Sequence, residues 1–269
     1  METYRVLVLG DFHFGESYGS AGAKILREYG YSHSTVHLRP FVNASDSVVL
    51  NLETPLVDPV TVPSPYEGKK AYIHWGSIKE TVAELQELKV DAVSLANNHT
   101  LDHGTAGLES TFHALKGGGI EWFGAGRNLD EARVPYRLTL PDRVGGGEIH
   151  FHGSFQYSSR YDRDYAFYAS RSSPGCAPLS IGEVPSARAG SPRDDSLHVA
   201  FPHWGANYAW RSEKQYRLAH RFLRKDYDLV LGHGGHALQE VHRKLQRWVV
   251  FGIGNGNFHA GLKLNPKRL

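Results

Sequence analysis

Short runs of Val, Ile, Leu and Phe recur along this chain, and most of them stop at Asp, Glu, Asn or His. A run of that length, bounded by Gly or polar residues, reads as a largely buried β-strand. The segments 4–10, 47–52, 92–96, 149–155, 198–202, 228–231 and 248–253 all fit. Helical spacing separates several of them. Ile78, Val82, Leu85 and Leu88 share one face of a helix over 77–89, and Leu108, Phe112 and Leu115 share another that Gly117-Gly118-Gly119 ends. Tyr216, Ala219, Phe222 and Leu223 mark a third helix with a strongly basic outer face. Strands alternating with helices predict an α/β fold with largely parallel pairing.

In open α/β sheets, ligands gather at the carboxyl ends of the strands. The first strand leads to Asp11 and His13, the second to Asn51-Leu52-Glu53, and the third to Asn97-Asn98-His99 with Asp102 and His103 beyond. Later strands lead to His203-Trp204-Gly205 and to His233-Gly234-Gly235-His236. The last leads to Gly254-Asn255-Gly256-Asn257-Phe258. One histidine at a strand end is ordinarily a hydrogen-bonded or surface residue, and Asn and Gly are ordinary turn formers. Recurrence of the pattern at five successive strand ends points instead to a shared metal site. Sixteen histidines in a chain with 30 basic and 28 acidic residues suit that reading.

The balanced charge and the lack of a recognition motif predict no nucleic-acid partner. The single cysteine, Cys176, excludes an internal disulfide or a thiolate cluster, and no base stands beside it in sequence. The first residues lack the basic and apolar regions of a signal peptide, and no apolar stretch approaches the roughly 20 residues that span a bilayer. The expectation is a cytoplasmic chain without direct membrane insertion. No domain boundary stands out, so residues 1–269 read as one domain. The proline-rich stretch 57–68 and the Ser/Pro/Gly/Arg-rich stretch 170–195 read as loops, the second long enough to be a lid. Gly145-Gly146-Gly147 reads as a hairpin turn.

The segments GDFH, NLETPL, ANNHTLDHG, GAGRNLDEA, HWGANY, GHGGHALQEV and FGIGNGNF, in this order, resemble the CapA-type poly-γ-glutamate capsule-synthesis family. That family lies within the calcineurin-like metallophosphoesterases, and the resemblance runs from Gly10 to Phe258. It implies a metallophosphoesterase-like sandwich of two mixed β-sheets flanked by helices, with a metal centre at the strand ends. It matches Asp11, His13 and His236 to one metal and Asn98, His203 and His233 to a second, with Glu53 bridging. His99 matches the catalytic histidine, and Asp102 is placed to orient it or to hold its proton. Glu53 stands where the wider superfamily has Asp. The closing His-Gly-Gly-His is one residue longer than the usual His-x-His, a spacing compatible with two metals or with one.

Imidazole, carboxylate and amide ligands favour divalent transition metals (Mn, Fe, Zn or Co) over Mg or Ca. Asp11 and Glu53 supply two negative charges, so two divalent ions would leave the site at roughly +2, attractive to an anionic substrate. Metals about 3.5–4 Å apart can share a hydroxide that attacks phosphorus or a carbonyl carbon. Arg127, Arg160 and Arg211 are candidate anion clamps, and Trp204 and Tyr208 candidate cleft residues. Three functions follow: hydrolysis of a phosphoester on a small anionic substrate, action on an amide or γ-glutamyl bond of a γ-linked peptide, and a non-catalytic accessory role in polymer biosynthesis. ATP-driven amide synthesis is disfavoured, because no phosphate-binding loop of the G-x-x-x-x-G-K-[ST] type is present. Oligomeric state leaves no trace in the pattern.

Overall fold

Strand β2 (Ser47–Leu52) is buried along its whole length, as a strand covered on both faces must be. The computed structural model describes residues 2–17, 24, 26–188, 195–244 and 246–258. Around β2 lie β1 (Val6–His13), β3 (Val90–Ser94), β4 (Glu121–Phe123) and β14 (Asn255–Phe258), in the order β14-β1-β2-β3-β4. Every pairing in this sheet is parallel, so it is not the mixed sheet expected. The second sheet is mixed. It runs β12 (Val241–Lys244), β13 (Arg247–Val250), β11 (Leu229–Leu231), β10 (Leu197–His203), β7 (Glu148–Gln156), β6 (Tyr136–Thr139). Its two ends are the antiparallel pairs β12–β13 and β6–β7. The second closes through the predicted turn, where Gly145, Gly146 and Gly147 all have positive φ.

Strand alternation sorts the apolar residues into layers. Val49, Ala92 and Phe123 of the first sheet meet Phe151, Val199 and Phe201 of the second, forming the core between the sheets. On its other face the first sheet packs Phe12, Leu50 and Leu52 against Leu85 and Leu88 of one helical region and Leu108, Phe112 and Leu115 of another. These come from the helix Ile78–Glu87 with its cap Leu88 and from the helix Gly104–Gly117, capped by Gly118. The second sheet packs Ala200, Val230 and Val249 under Leu218, Ala219, Phe222 and Leu223 of the helix Glu213–Arg224. Each fully buried Leu or Phe contributes about 1.5–3 kcal/mol relative to exposure. The result is an α/β sandwich in the layer order α/β/β/α. Among the described residues no helix is long and apolar enough to cross a membrane.

The segment 248–253 departs from expectation. The second sheet keeps only Arg247–Val250. The chain then crosses at Gly252–Gly254, and Asn255–Phe258 becomes β14, the edge of the first sheet beside β1. Asn and Gly have poor strand propensity, but here the partner decides. A Cβ on Gly10 would lie 1.8 Å from the Gly254 carbonyl oxygen, so β1 and the start of β14 approach only because Gly10 has none. Gly10→Ala should therefore destabilise the protein by about 3 kcal/mol, read as a lower urea midpoint. An unchanged midpoint would refute this close approach.

The stretch 170–188 is a packed strap, not the expected lid. β8 (Gly175–Cys176) pairs with β5 (Ala125–Gly126), β9 (Pro178–Leu179) pairs with β7, and Cys176, Ala177, Leu179 and Val184 are buried. Residues 189–194 of that loop lie outside the described residues. The Cys176 thiol donates to the carbonyls of Leu95 and Asn97 at 3.5 Å, and burial pushes its pKa up to about 12. Only the thiolate reacts at useful rates. Folded protein should therefore resist iodoacetamide at mildly alkaline pH and be alkylated once unfolded, as read by intact mass; rapid labelling of the folded chain would contradict this burial.

Candidate metal centre

Asp11 lies on β1, fully buried, and its carboxylate is the hub of the site. Its Oδ1 accepts from Asn51 Nδ2 at 2.9 Å and lies 3.1 Å from His233 Nδ1. Its Oδ2 accepts from the Gly234 amide at 3.0 Å and lies 3.1 Å from His236 Nδ1. Burial alone would raise this carboxyl's pKa. The contacts to His233 and His236 and the neighbouring His203 outweigh burial and hold it well below the usual carboxylate range.

The carboxyl ends of β10 and β11 bring His203 and His233 together. His203, the last residue of β10, pairs in parallel with His233 just past the end of β11, with the His233 amide on the Pro202 carbonyl and the Trp204 amide on the His233 carbonyl. Their Nδ1 atoms are 3.2 Å apart. Burial lowers the pKa of His203 to about 3, so its ring is neutral and able to ligate. The His-Gly-Gly-His spacing has a conformational cause. Gly234 adopts φ +96°, and a Cβ there would lie 2.9 Å from the His203 ring. His236 itself sits at φ +55° with its Nδ1 2.9 Å from Asn255 Oδ1 on β14.

Glu53 follows β2 and is fully buried. Neither of its carboxylate oxygens has a hydrogen-bond partner among the described residues, and the same holds for Asn98 Oδ1 and His233 Nε2. Burial, and then the charge of Asp11, push the Glu53 carboxyl well above its ordinary pKa. A buried carboxylate without donors is costly unless a cation meets it. Two groups of potential ligand atoms converge here, each within 4.8 Å: Asp11, His203 and His233, and Asp11, Glu53 and His236. Nitrogens 3.2 Å apart beside orphaned carboxylate and amide oxygens fit divalent transition metals.

This grouping differs from the one implied by resemblance, because Asp11 is common to both groups and His13 falls in neither. His13 is fully buried on β1, with its ring stacked 4.3 Å from that of His74 and its Nε2 3.4 Å from Ser17 Oγ. Asn97 is a turn former. It donates to the Leu52 carbonyl at 2.8 Å and accepts from the His99 amide at 3.0 Å. Asn257 Nδ2 donates to the His13 carbonyl at 3.5 Å.

His99 faces the ligands from the other side, with its Nε2 3.9 Å from Glu53 Oε1. Its Nδ1 is 2.6 Å from Asp102 Oδ2, and Asp102 Oδ1 pairs with Lys70 Nζ at 2.6 Å. Burial opposes charge on both partners, raising Asp102 to about 6 and lowering Lys70, while their mutual attraction opposes both shifts. Burial and then Lys70 hold the His99 pKa well below its ordinary value. His103 lies apart, with its Nδ1 2.5 Å from the Val62 carbonyl.

Two members of the site come from no strand end. His74 lies in the connection between β2 and the helix Ile78–Glu87. It stacks 3.4 Å from the His99 ring, donates its amide to Asp102 Oδ2 at 2.6 Å, and places its Nδ1 3.1 Å from the Glu53 carbonyl. Lys70 lies just before it, and its only sequence signal was the Lys-rich end of the proline loop.

The expected substrate residues scatter. Arg127 is exposed and held by Glu109 at 2.8 Å. Arg211 is held by Glu240 at 2.5 Å and lies over the Tyr216 and Phe251 rings. Arg160 donates to Tyr165 Oη at 3.1 Å. Trp204 belongs to the core, its Nε1–H donating to the Phe251 carbonyl at 2.8 Å. Its large apolar body fills the space beside Phe222 and Phe251, which removes it from any cleft. Tyr208 stays at the rim, exposed, with its ring 5.6 Å from His236.

Known proteins share this chain's sequence over most of its length. The Capsule biosynthesis protein CapA of Bacillus anthracis is 26% identical over 97% of this chain and 61% of its own length. The PGA biosynthesis protein CapA of Bacillus subtilis is 25% identical over 88% of this chain and 60% of its own. A "Probable polyglutamine synthesis accessory protein" of Mycobacterium tuberculosis is 28% identical over 79% and 55%. The chain thus spans about three-fifths of the length of these curated relatives. A family model described as "Bacterial capsule synthesis protein PGA_cap" matches residues 5–260, and the chain belongs to that family.

Proposed function

We propose that this protein is a metal-dependent hydrolase whose strand-end centre acts on a phosphoester. The observation that carries the reading is the Glu53 carboxylate, buried without a donor among the described residues, with its Oε1 3.9 Å from both His99 Nε2 and His203 Nε2. Asp11, Glu53, His203, His233 and His236 would hold the metals, with Asn98 Oδ1 as a further oxygen. Bound there, divalent ions would supply Lewis acidity toward a substrate oxygen and lower the pKa of water.

The chain's own part is proton handling. Asp102 holds His99 Nδ1, which leaves Nε2 as the atom that gives or takes a proton at the centre. Lys70 balances the Asp102 charge, so the imidazole rests neutral, and His74 packs flat on it and fixes its plane. Tyr208 lines the entrance.

Action on an amide or γ-glutamyl bond is the second reading, favoured by the names of the relatives; the name of the mycobacterial one also admits an accessory role. The test is to strip the protein with chelator, reload it with Mn, Co or Zn, and assay aryl phosphate mono- and diesters beside γ-glutamyl peptides. Metal-dependent release of the aryl alcohol is expected. Metal-loaded protein that cleaves only the peptides moves the assignment to the second reading, and protein that takes up no metal at the centre removes both.

A further inference from the structure

A second group of histidines lies away from the strand-end centre. His150 and His152 on β7 and His198 on β10 each place a ring nitrogen within 4.8 Å of the others. In the parallel register His198 sits beside His150, and His203 beside Phe155. The three histidines therefore lie near the amino ends of the strands whose carboxyl ends carry the first centre. Five residues of strand separate His198 from His203, roughly 16 Å. By alternation the three rings point away from Phe151, Val199 and Phe201, onto the face that the helix Glu213–Arg224 covers farther along.

The contacts within the group have the form of a ligand set. His152 Nε2 and His198 Nδ1 are 3.0 Å apart. Two nitrogens on one tetrahedral ion, with bonds of about 2.0–2.1 Å, lie roughly 3.3 Å apart. The His150 ring stands 4.8 Å from that of His198, nearly perpendicular, and its Nε2 is 2.7 Å from Glu148 Oε2. A carboxylate on the outer nitrogen of an imidazole is the usual means of orienting a metal-binding histidine. His152 is packed edge-on against Tyr227, which holds its ring in place. His150 and His198 are buried, and His152 is half-buried. Asp228 Oδ2 accepts from the His198 amide at 2.9 Å, which pins the backbone under the third ring. One shared proton accounts for the His152–His198 contact, but not for a third imidazole converging on the same point.

We propose that His150, His152 and His198 form a second metal site, separate from the strand-end centre, that takes one divalent transition ion of the imidazole-binding class and ties β7 to β10. Nothing in this assignment requires the protein to be a hydrolase. The test uses the full chain carrying Asp11→Asn and His233→Gln, which disables the first centre. Equilibrium dialysis against Zn(II) should leave about one equivalent bound, and added Zn(II) should raise the melting temperature through binding to the folded state. Adding His152→Gln, at the half-buried member, should abolish both responses. The proposal is overturned if the disabled chain takes up no ion and shows no thermal shift. It is equally overturned if uptake and shift persist unchanged in the His152→Gln derivative. The first of these measurements leaves the three histidines intact, so a folding defect in the variant does not protect the proposal.

Discussion

Replacing His99 with alanine should lower turnover of an aryl phosphate by about 10²- to 10⁴-fold, the range for loss of a positioned general acid or base. The metal content of the strand-end centre should stay at its wild-type value. Both halves of this expectation come from geometry. His99 Nε2 faces Glu53 at 3.9 Å, whereas its Nδ1 is taken by Asp102 at 2.6 Å, so the ring is aimed at the ligands without belonging to either converging group. A proton relay held in this way acts on the leaving group and does not hold the ion. Asp102→Asn should give a smaller loss, because the imidazole keeps its place but loses the charge that supports its protonated form. If His99→Ala lost metal in parallel with activity, His99 would be a ligand and the division of labour drawn here would fail. If activity survived His99→Ala, the proton would come from elsewhere, and the phosphoesterase reading would lose its acid.

Asp11→Asn should remove about two equivalents of metal at once, since one carboxylate serves both converging groups. The substitution is nearly isosteric, so its effect reports charge and donor pattern more than volume. It also places an amide NH₂ where a carboxylate oxygen accepts from the Gly234 amide at 3.0 Å. Leaving that buried N–H unsatisfied costs about 1–3 kcal/mol. A metal at a thousandfold excess over its dissociation constant stabilises the folded state by about 4 kcal/mol. Wild-type protein should therefore melt markedly higher with metal than without, and Asp11→Asn should melt lower than metal-free wild type. Any response of the variant to Zn(II) should be confined to the second histidine group. Dialysis followed by elemental analysis reads the stoichiometry. Loss of only one equivalent would show that Asp11 serves a single ion and that Glu53 or His13 carries the other.

The parts of the site that sequence pattern reached are those attached to strand ends. Asp11, Glu53, Asn98, His99, His203, His233 and His236 each follow a recognisable apolar run, and in a parallel sheet every such run ends on the same side. His74 and Lys70 escaped because a loop delivers them. Their places depend on how the proline-rich segment packs, with Tyr66 against Tyr165 and Ser64 on the Asp102 carbonyl. Arg127 and Arg211 are engaged by Glu109 and Glu240, which lie 18 and 29 residues away, and Arg127 also pairs with Glu131 one helical turn on. Asn255 looked like the end of a strand and is the start of one, because Gly10 lets its backbone come close enough to pair with β1.

The sequence by itself determined the layers. Period-two and helical periodicities decide which side of each element is buried, and they place the ligand-bearing residues at one end of the sheets. Only the tertiary structure decided which ligands share an ion. Asp11 meets His233 across 222 residues of chain, and β14 joins the first sheet instead of the second. Local pattern acts over a few residues and sets burial. Distances between side chains far apart in sequence are set by strand order and register, which the packing of the whole chain selects.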